Sequence, residues 1–134
     1  MSRILVVADV PWVRNEVHAS LTAPDFELVD LDDPTAAATT ALDGDFDAVI
    51  VDLQTGSMGG MAVTRDVREQ AGLRGLDHLP VLMLLDRAAD AFLAKRAGAA
   101  GWVAKPFDPH MIRTALTEAM TSPRPAATAG VEEA

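Results

Sequence analysis

The sequence has no cysteine, only 11 basic residues against 20 acidic ones, and no long apolar run. Each absence removes a class of function. Without Cys there are no disulfides and no thiol chemistry, a composition compatible with a reducing cytoplasm. A formal net charge of -9 opposes binding to nucleic acid through phosphate contacts, which needs clustered Lys and Arg. The apolar opening Ile4-Leu5-Val6-Val7-Ala8 is too short for a signal-peptide core and is stopped by Asp9. No later stretch approaches the roughly 20 apolar residues of a membrane span. No Gly-rich phosphate loop follows the first apolar run, so a nucleotide site of that kind is not expected. His18, His78 and His110 share no spacing, which argues against a histidine metal site or a phosphohistidine relay. The expectation is a soluble cytoplasmic protein, with no membrane or nucleic-acid partner, that acts on proteins or small ligands.

What is present points to one domain. The 134 residues are 49% hydrophobic, enough for a single core burying roughly two-thirds of the unfolded surface. The organising stretch is Asp47-Ala48-Val49-Ile50-Val51-Asp52, whose middle lacks the alternation of a half-wet strand. Such a β-branched run reads as a central parallel strand covered on both faces. Asp52 then sits at its carboxyl end, the edge where open α/β sheets place ligands and chemistry.

The rest of the chain alternates around this strand. Arg3 to Ala8 reads as a strand ending at Asp9, and Pro11 to Thr22 as a helix with Val13, Val17 and Leu21 on one face. Phe26 to Leu31 reads as a strand and Pro34 to Leu42 as a surface helix. Gly60 to Gln70 is a helix with Val63 and Val67 inward, followed by a loop from Ala71 to Leu79. Pro80 to Leu85, wholly apolar, is a strand buried on both faces. Asp86 to Ala97 is a helix closed by Gly98. Gly101 to Ala104 is a short strand, Lys105-Pro106 a turn and Asp108 to Thr121 a last helix. Residues 1–121 form the domain, and the Pro-, Ala- and Thr-rich residues 122–134 read as a disordered tail.

Five strand-helix alternations with right-handed crossovers give a doubly wound α/β fold, a five-stranded parallel sheet of order 2-1-3-4-5 with helices on both faces. That order brings Asp9 and Asp52 to one crevice. Two carboxylates there raise each other's pKa and cost stability, so a cation or a Lys is expected beside them. Lys105, at the end of the fifth strand, has the reach.

Four pieces in order now carry a resemblance. They are Ile4-Leu5-Val6-Val7-Ala8-Asp9, Asp47-Ala48-Val49-Ile50-Val51-Asp52, Pro80-Val81-Leu82-Met83-Leu84, and Ala97-Gly98-Ala99-Ala100-Gly101-Trp102-Val103-Ala104-Lys105-Pro106-Phe107. From about Arg3 to Met120 the chain resembles the receiver domains of two-component response regulators, which have a flavodoxin-like fold. The resemblance implies a signalling module, not an enzyme, with Asp52 as phosphoacceptor and Lys105 paired with a phosphoryl oxygen. It implies Mg²⁺ held by Asp9, Asp52 and the backbone carbonyl of Gln54, a hard cation on oxygen ligands. It also implies a cis Lys105-Pro106 bond. Its partners would be a histidine kinase or small phosphodonor, and a protein docking on the fourth helix, the fifth strand with Trp102 and the last helix. It leaves room for a homodimer.

The departures from the family matter as much. Ala8 stands where receivers have an outer acid, so weak Mg²⁺ binding is expected. Leu85 stands in place of a Thr or Ser, and the next position is Asp86 instead of Ala or Gly, adding bulk and charge near the phosphate's place. Leu85, Asp86 and Trp102 are therefore the switch positions to watch. Thr55-Gly56 replaces the usual Met-Pro, which predicts a looser loop.

Each residue also has a structural reading. Asp52, Asp9 and above all Asp86 would serve as helix or turn caps, the last as N-cap of its own helix. Lys105 would be an ordinary strand-end charge, and Trp102 either core or a partner-facing anchor. Met111, Ile112, Ala115, Leu116, Ala119 and Met120 cover about half the last helix, wider than the ~100° stripe one packing face needs. Two functions follow, a phosphorylated stand-alone receiver or an interaction module of the same fold that works without phosphorylation. Ala8, Leu85 and Asp86 favour the second; Asp9, Asp52 and Lys105 favour the first.

Overall fold

A computed structural model describes residues 1–56 and 58–121 of the chain. Its five strands are β1 (Ser2–Val7), β2 (Phe26–Leu31), β3 (Ala48–Asp52), β4 (Val81–Leu85) and β5 (Gly101–Ala104). The helices are α1 (Pro11–Ser20), α2 (Ala37–Asp43), α3 (Gly60–Leu73), α4 (Ala91–Ala97) and α5 (Pro109–Thr121). All strands are parallel, and the order is β2-β1-β3-β4-β5, as the alternation of elements predicts. The tail expected at residues 122–134 lies outside the described residues.

The unbroken apolar character of the central strands has a direct cause. Successive side chains point to opposite faces, and both faces are covered. Ile4, Val6, Ile50, Leu82, Leu84 and Val103 pack with Val13 and Val17 of α1 and Ile112 and Leu116 of α5. Leu5, Val7, Val49, Val51, Val81, Met83 and Leu85 pack with Ala41 of α2, Val63 and Val67 of α3 and Ala94 of α4. On α5, Ile112, Leu116 and Ala119 are buried while Met111 is 41% exposed, so its wide apolar stripe is only partly used in the fold.

Several boundaries differ from the sequence expectation. α2 is preceded by a 3₁₀ turn at Pro34–Ala36, capped by Asp33, whose Oδ1 accepts from the Thr35 amide at 3.1 Å. It exposes Thr39 and Asp43 as a surface helix does, while the small Ala37, Ala38 and Ala41 let its inner face sit against the sheet and α3. α3 runs on to Leu73, shortening the expected loop. The expected helix from Asp86 splits into a 3₁₀ turn at Ala88–Asp90 and α4, leaving Asp86 outside both. Gly98, at φ 91°, closes α4 in the left-handed conformation that Gly adopts without strain. The Lys105-Pro106 bond is cis, as is Ala23-Pro24.

Gly60 fixes how α3 leaves the loop after β3. A Cβ there would stand 2.6 Å from the Leu53 Cα and closer still to the Asp52 carbonyl oxygen, both main-chain atoms with nowhere to go. Gly60→Ala should therefore lower stability by about 1–3 kcal/mol in urea unfolding. Gly72→Ala, with nothing within 4 Å, should be neutral or raise it by up to about 1 kcal/mol through helix propensity. Equal effects would contradict this packing of β3 against α3.

Candidate functional site

The strand period of two builds the site. On the sheet face covered by α1 and α5, the apolar columns run through Ile50, Leu84 and Val103. Two residues further along each strand stand Asp52, Asp86 and Lys105, so one face ends in three charged groups at the carboxyl edge. Leu85 belongs to the opposite face and is fully buried there, in the cluster against which Trp102 packs.

Lys105 joins the three. Its ammonium donates to Asp52 Oδ1 at 2.6 Å and to Asp86 Oδ1 at 3.1 Å, and lies 5.7 Å from the centroid of the Trp12 ring. The Gln54 side chain donates from Nε2 to Asp86 Oδ2 at 2.7 Å, while its backbone amide approaches Asp52 Oδ1 at 3.4 Å. Asp52 is fully buried, and its Oδ2 has no hydrogen-bond partner among the described residues. Across the crevice the Gly56 amide donates to Asp9 Oδ2 at 2.7 Å, and Arg14 holds the Ala8 carbonyl at 2.9 Å.

Burial pushes the Asp52 carboxyl above the usual carboxylate range, although Lys105 and the Gln54 amide pull the other way. For Asp86 burial also acts upward, but the hydrogen bonds from Gln54 and Lys105, with the charges of Lys105 and Arg87, outweigh it and leave the pKa lowered. Of the two acids sharing Lys105, Asp86 is the better anion.

Of the residues expected here, Asp9, Asp52, Gln54 and Lys105 all reach this edge. Asp86 is no helix cap: its carboxylate is taken by Lys105 and Gln54, and the turn that follows is entered at Arg87 without a side-chain cap. Nor does Asp9 cap α1, whose N-cap is Val10 with no side-chain bond. Main-chain hydrogen bonds tie the described residues of the loop after β3. Besides the Gly56 amide bond, the Gly59 amide donates to the Thr55 carbonyl and the Gly60 amide to the Leu53 carbonyl, both at 2.9 Å. Trp102 is half-buried, with the Lys95 ammonium 5.7 Å from its ring centroid. It lines a groove of about 430 Å³ together with Ala88, Met111 and Ala115. Trp12, which sequence reasoning passed over, is 56% exposed beside Lys105. Its place three residues after Asp9 was the available signal.

Mg²⁺ can be tested against these residues. Among the described residues Asp52 Oδ2 is a buried oxygen with no donor, and its free lone pairs suit a hard cation. Asp52 and Asp86 share the Lys105 ammonium, and Asp9, held by the Gly56 amide, adds a further carboxylate at this edge. The donor set fits, though it rests on two carboxylates and a carbonyl. Among the described residues no three His, Cys, Asp or Glu side chains group closely enough to hold a metal by themselves.

This fold and edge define a class, and the chain belongs to it. Residues 4–117 match the response regulator receiver domain family, the modules of two-component signalling. The chain is similar to the chemotaxis protein CheY of Pseudomonas aeruginosa, 32% identical over 114 residues that cover 83% of this chain and 90% of that protein. Its fold is similar to the solved structure of the Vibrio cholerae chemotaxis protein CheY4, with TM-score 0.75 and 28% identity over 87% of this chain and 97% of that one. It is likewise similar to the receiver domain of the sensor histidine kinase PA1611 of Pseudomonas aeruginosa PAO1, solved with a magnesium ion coordinated in the active site cleft. There the TM-score is 0.77, with 24% identity over 90% and 98% of the two chains. Among the described residues no helix is long and apolar enough to cross a membrane.

Proposed function

We propose that this CheY-like receiver is a phosphorylation switch whose acceptor is Asp52. The observation that carries the reading is the half-used carboxylate of Asp52, with Oδ1 held by Lys105 and a buried Oδ2 that has no partner among the described residues. A carboxylate oxygen attacks the donor's phosphorus, and the bond to the leaving group breaks, its electron pair departing on acetate or on an imidazole of a histidine kinase. Lys105, positioned by β5, offers positive charge to the phosphoryl oxygens.

Asp9, Asp52 and the Gln54 carbonyl would hold Mg²⁺, as the magnesium in the PA1611 receiver cleft suggests for a relative of the same fold. When bound, the cation neutralises the carboxylates and screens the incoming phosphoryl charge. Binding is weak in this reading because the buried Ala8 methyl replaces an outer acid. The module spans residues 1–121 in the cytoplasm. Its output is a protein docking on α4, β5 with Trp102, and α5, where the groove and the exposed Met111 offer apolar surface.

Intact mass after incubation with acetyl phosphate and Mg²⁺ tests the acceptor. One phosphoryl adduct, removed by hydroxylamine and absent from Asp52→Asn, is expected. No adduct in the native chain would leave a phosphorylation-independent interaction module, and an unchanged adduct in Asp52→Asn would move the acceptor elsewhere.

A further inference from the structure

An ammonium has three N–H donors and no acceptor. Two of them at Lys105 are taken, by Asp52 Oδ1 at 2.6 Å and Asp86 Oδ1 at 3.1 Å, and the centroid of the Trp12 ring lies 5.7 Å from the nitrogen. Lys105 is itself mostly buried, its side chain only 10% exposed. Asp86 is not a passing neighbour, because Gln54 Nε2 holds its second oxygen at 2.7 Å and so fixes the carboxylate against the ammonium. Both clamp residues come from the loop ends that frame Asp52, Gln54 after β3 and Asp86 after β4.

We infer that the Asp86 carboxylate is an internal anion that holds Lys105 in the resting protein, so that a phosphoryl group arriving at Asp52 must displace it from the ammonium. The inference rests on the reading of Asp52 as the acceptor. Asp86 is thereby a residue that sets how readily the site takes an anion. Its influence has two separable parts, the negative charge that competes for Lys105 and the volume that fills the space beside it. The geometry assigns the effect to charge, because the contacts Asp86 makes are hydrogen bonds from an ammonium and an amide.

Two measurements on the full chain test this, both in native protein, Asp86→Asn and Asp86→Ala. The first is equilibrium binding of inorganic phosphate, followed by Trp12 fluorescence in a Trp102→Phe background so that the ring beside Lys105 is the sole reporter. The second is the rate of adduct formation with acetyl phosphate and Mg²⁺. Both substitutions should tighten phosphate binding by about ten-fold or more, the scale of one charge-assisted hydrogen bond released. Both should speed the adduct to a similar degree. A gain in Asp86→Ala alone, with Asp86→Asn behaving as native, would mean bulk and overturn the assignment to charge. Native-like phosphate binding and rates in both variants, with an adduct still formed at Asp52, would overturn the inference while leaving the proposed function intact. Tighter phosphate binding without an adduct in any variant would support Asp86 as the competing anion and refute Asp52 as the acceptor.

Discussion

Lys105→Met should cost about 3–5 kcal/mol of stability in urea unfolding with metal chelated, because it removes the counter-charge of a fully buried carboxylate. Asp52 has no second cation within reach among the described residues, and its remaining donor, the Gln54 amide, is long at 3.4 Å. Adding Asp52→Asn to Lys105→Met should return most of that loss, since the uncompensated charge disappears with it. Asp52→Asn alone should be neutral or stabilising, because the amide carries no charge to desolvate and Lys105 keeps Asp86. The loss in Lys105→Met has a pH dependence of definite sign. Burial already raises the Asp52 pKa, and losing Lys105 raises it further. The penalty belongs to the ionised form, so it is full above the raised value and fades as pH falls toward the ordinary carboxylate range and the group takes a proton. A cost below about 1 kcal/mol, the range of exposed pairs, would show that the bridge is a surface contact.

Adding beryllofluoride and Mg²⁺, a mimic of the aspartyl phosphate, should shift amide resonances in the loops around Asp52 and leave Trp102 almost unmoved. A switch needs a contact that differs between its two states. In the family a hydroxyl at the end of the fourth strand makes that contact, and here the position is Leu85, which is fully buried and has no hydroxyl. Leu85 and Trp102 share one apolar cluster, which responds to packing and not to charge at the edge. Leu85→Thr/Asp86→Ala should restore the spread of shifts to Trp102, because a charge-assisted bond of ~1.5–3 kcal/mol changes a population ratio ten-fold or more. Circular dichroism of the variant checks that the buried hydroxyl is tolerated. Large shifts along α5 in the native protein would mean that it switches by another route.

The sheet order and the convergence of Asp9, Asp52 and Lys105 were legible because apolar runs, turn residues and crossover handedness constrain them tightly. The interior of α2 was not, since its Ala- and Thr-rich composition lacks a contrast between faces until neighbours bury one of them. Asp86 was misread for a local reason. Asp after a strand and before a helical stretch suits an N-cap, and that propensity outweighed the period-two pattern which places Asp86 in line with Leu84 and beside Lys105. The pairing of Gln54 with Asp86 joins two loops 32 residues apart, and no local pattern encodes it.

Borohydride trapping reads directly which carboxylate carries the phosphoryl group. Hydride reduces an acyl phosphate to the alcohol and expels phosphate, turning the modified aspartate into homoserine that peptide mass spectrometry can place. After acetyl phosphate and Mg²⁺, homoserine at position 52 alone is the predicted result. Homoserine at position 9 or 86, with position 52 unchanged, would contradict it.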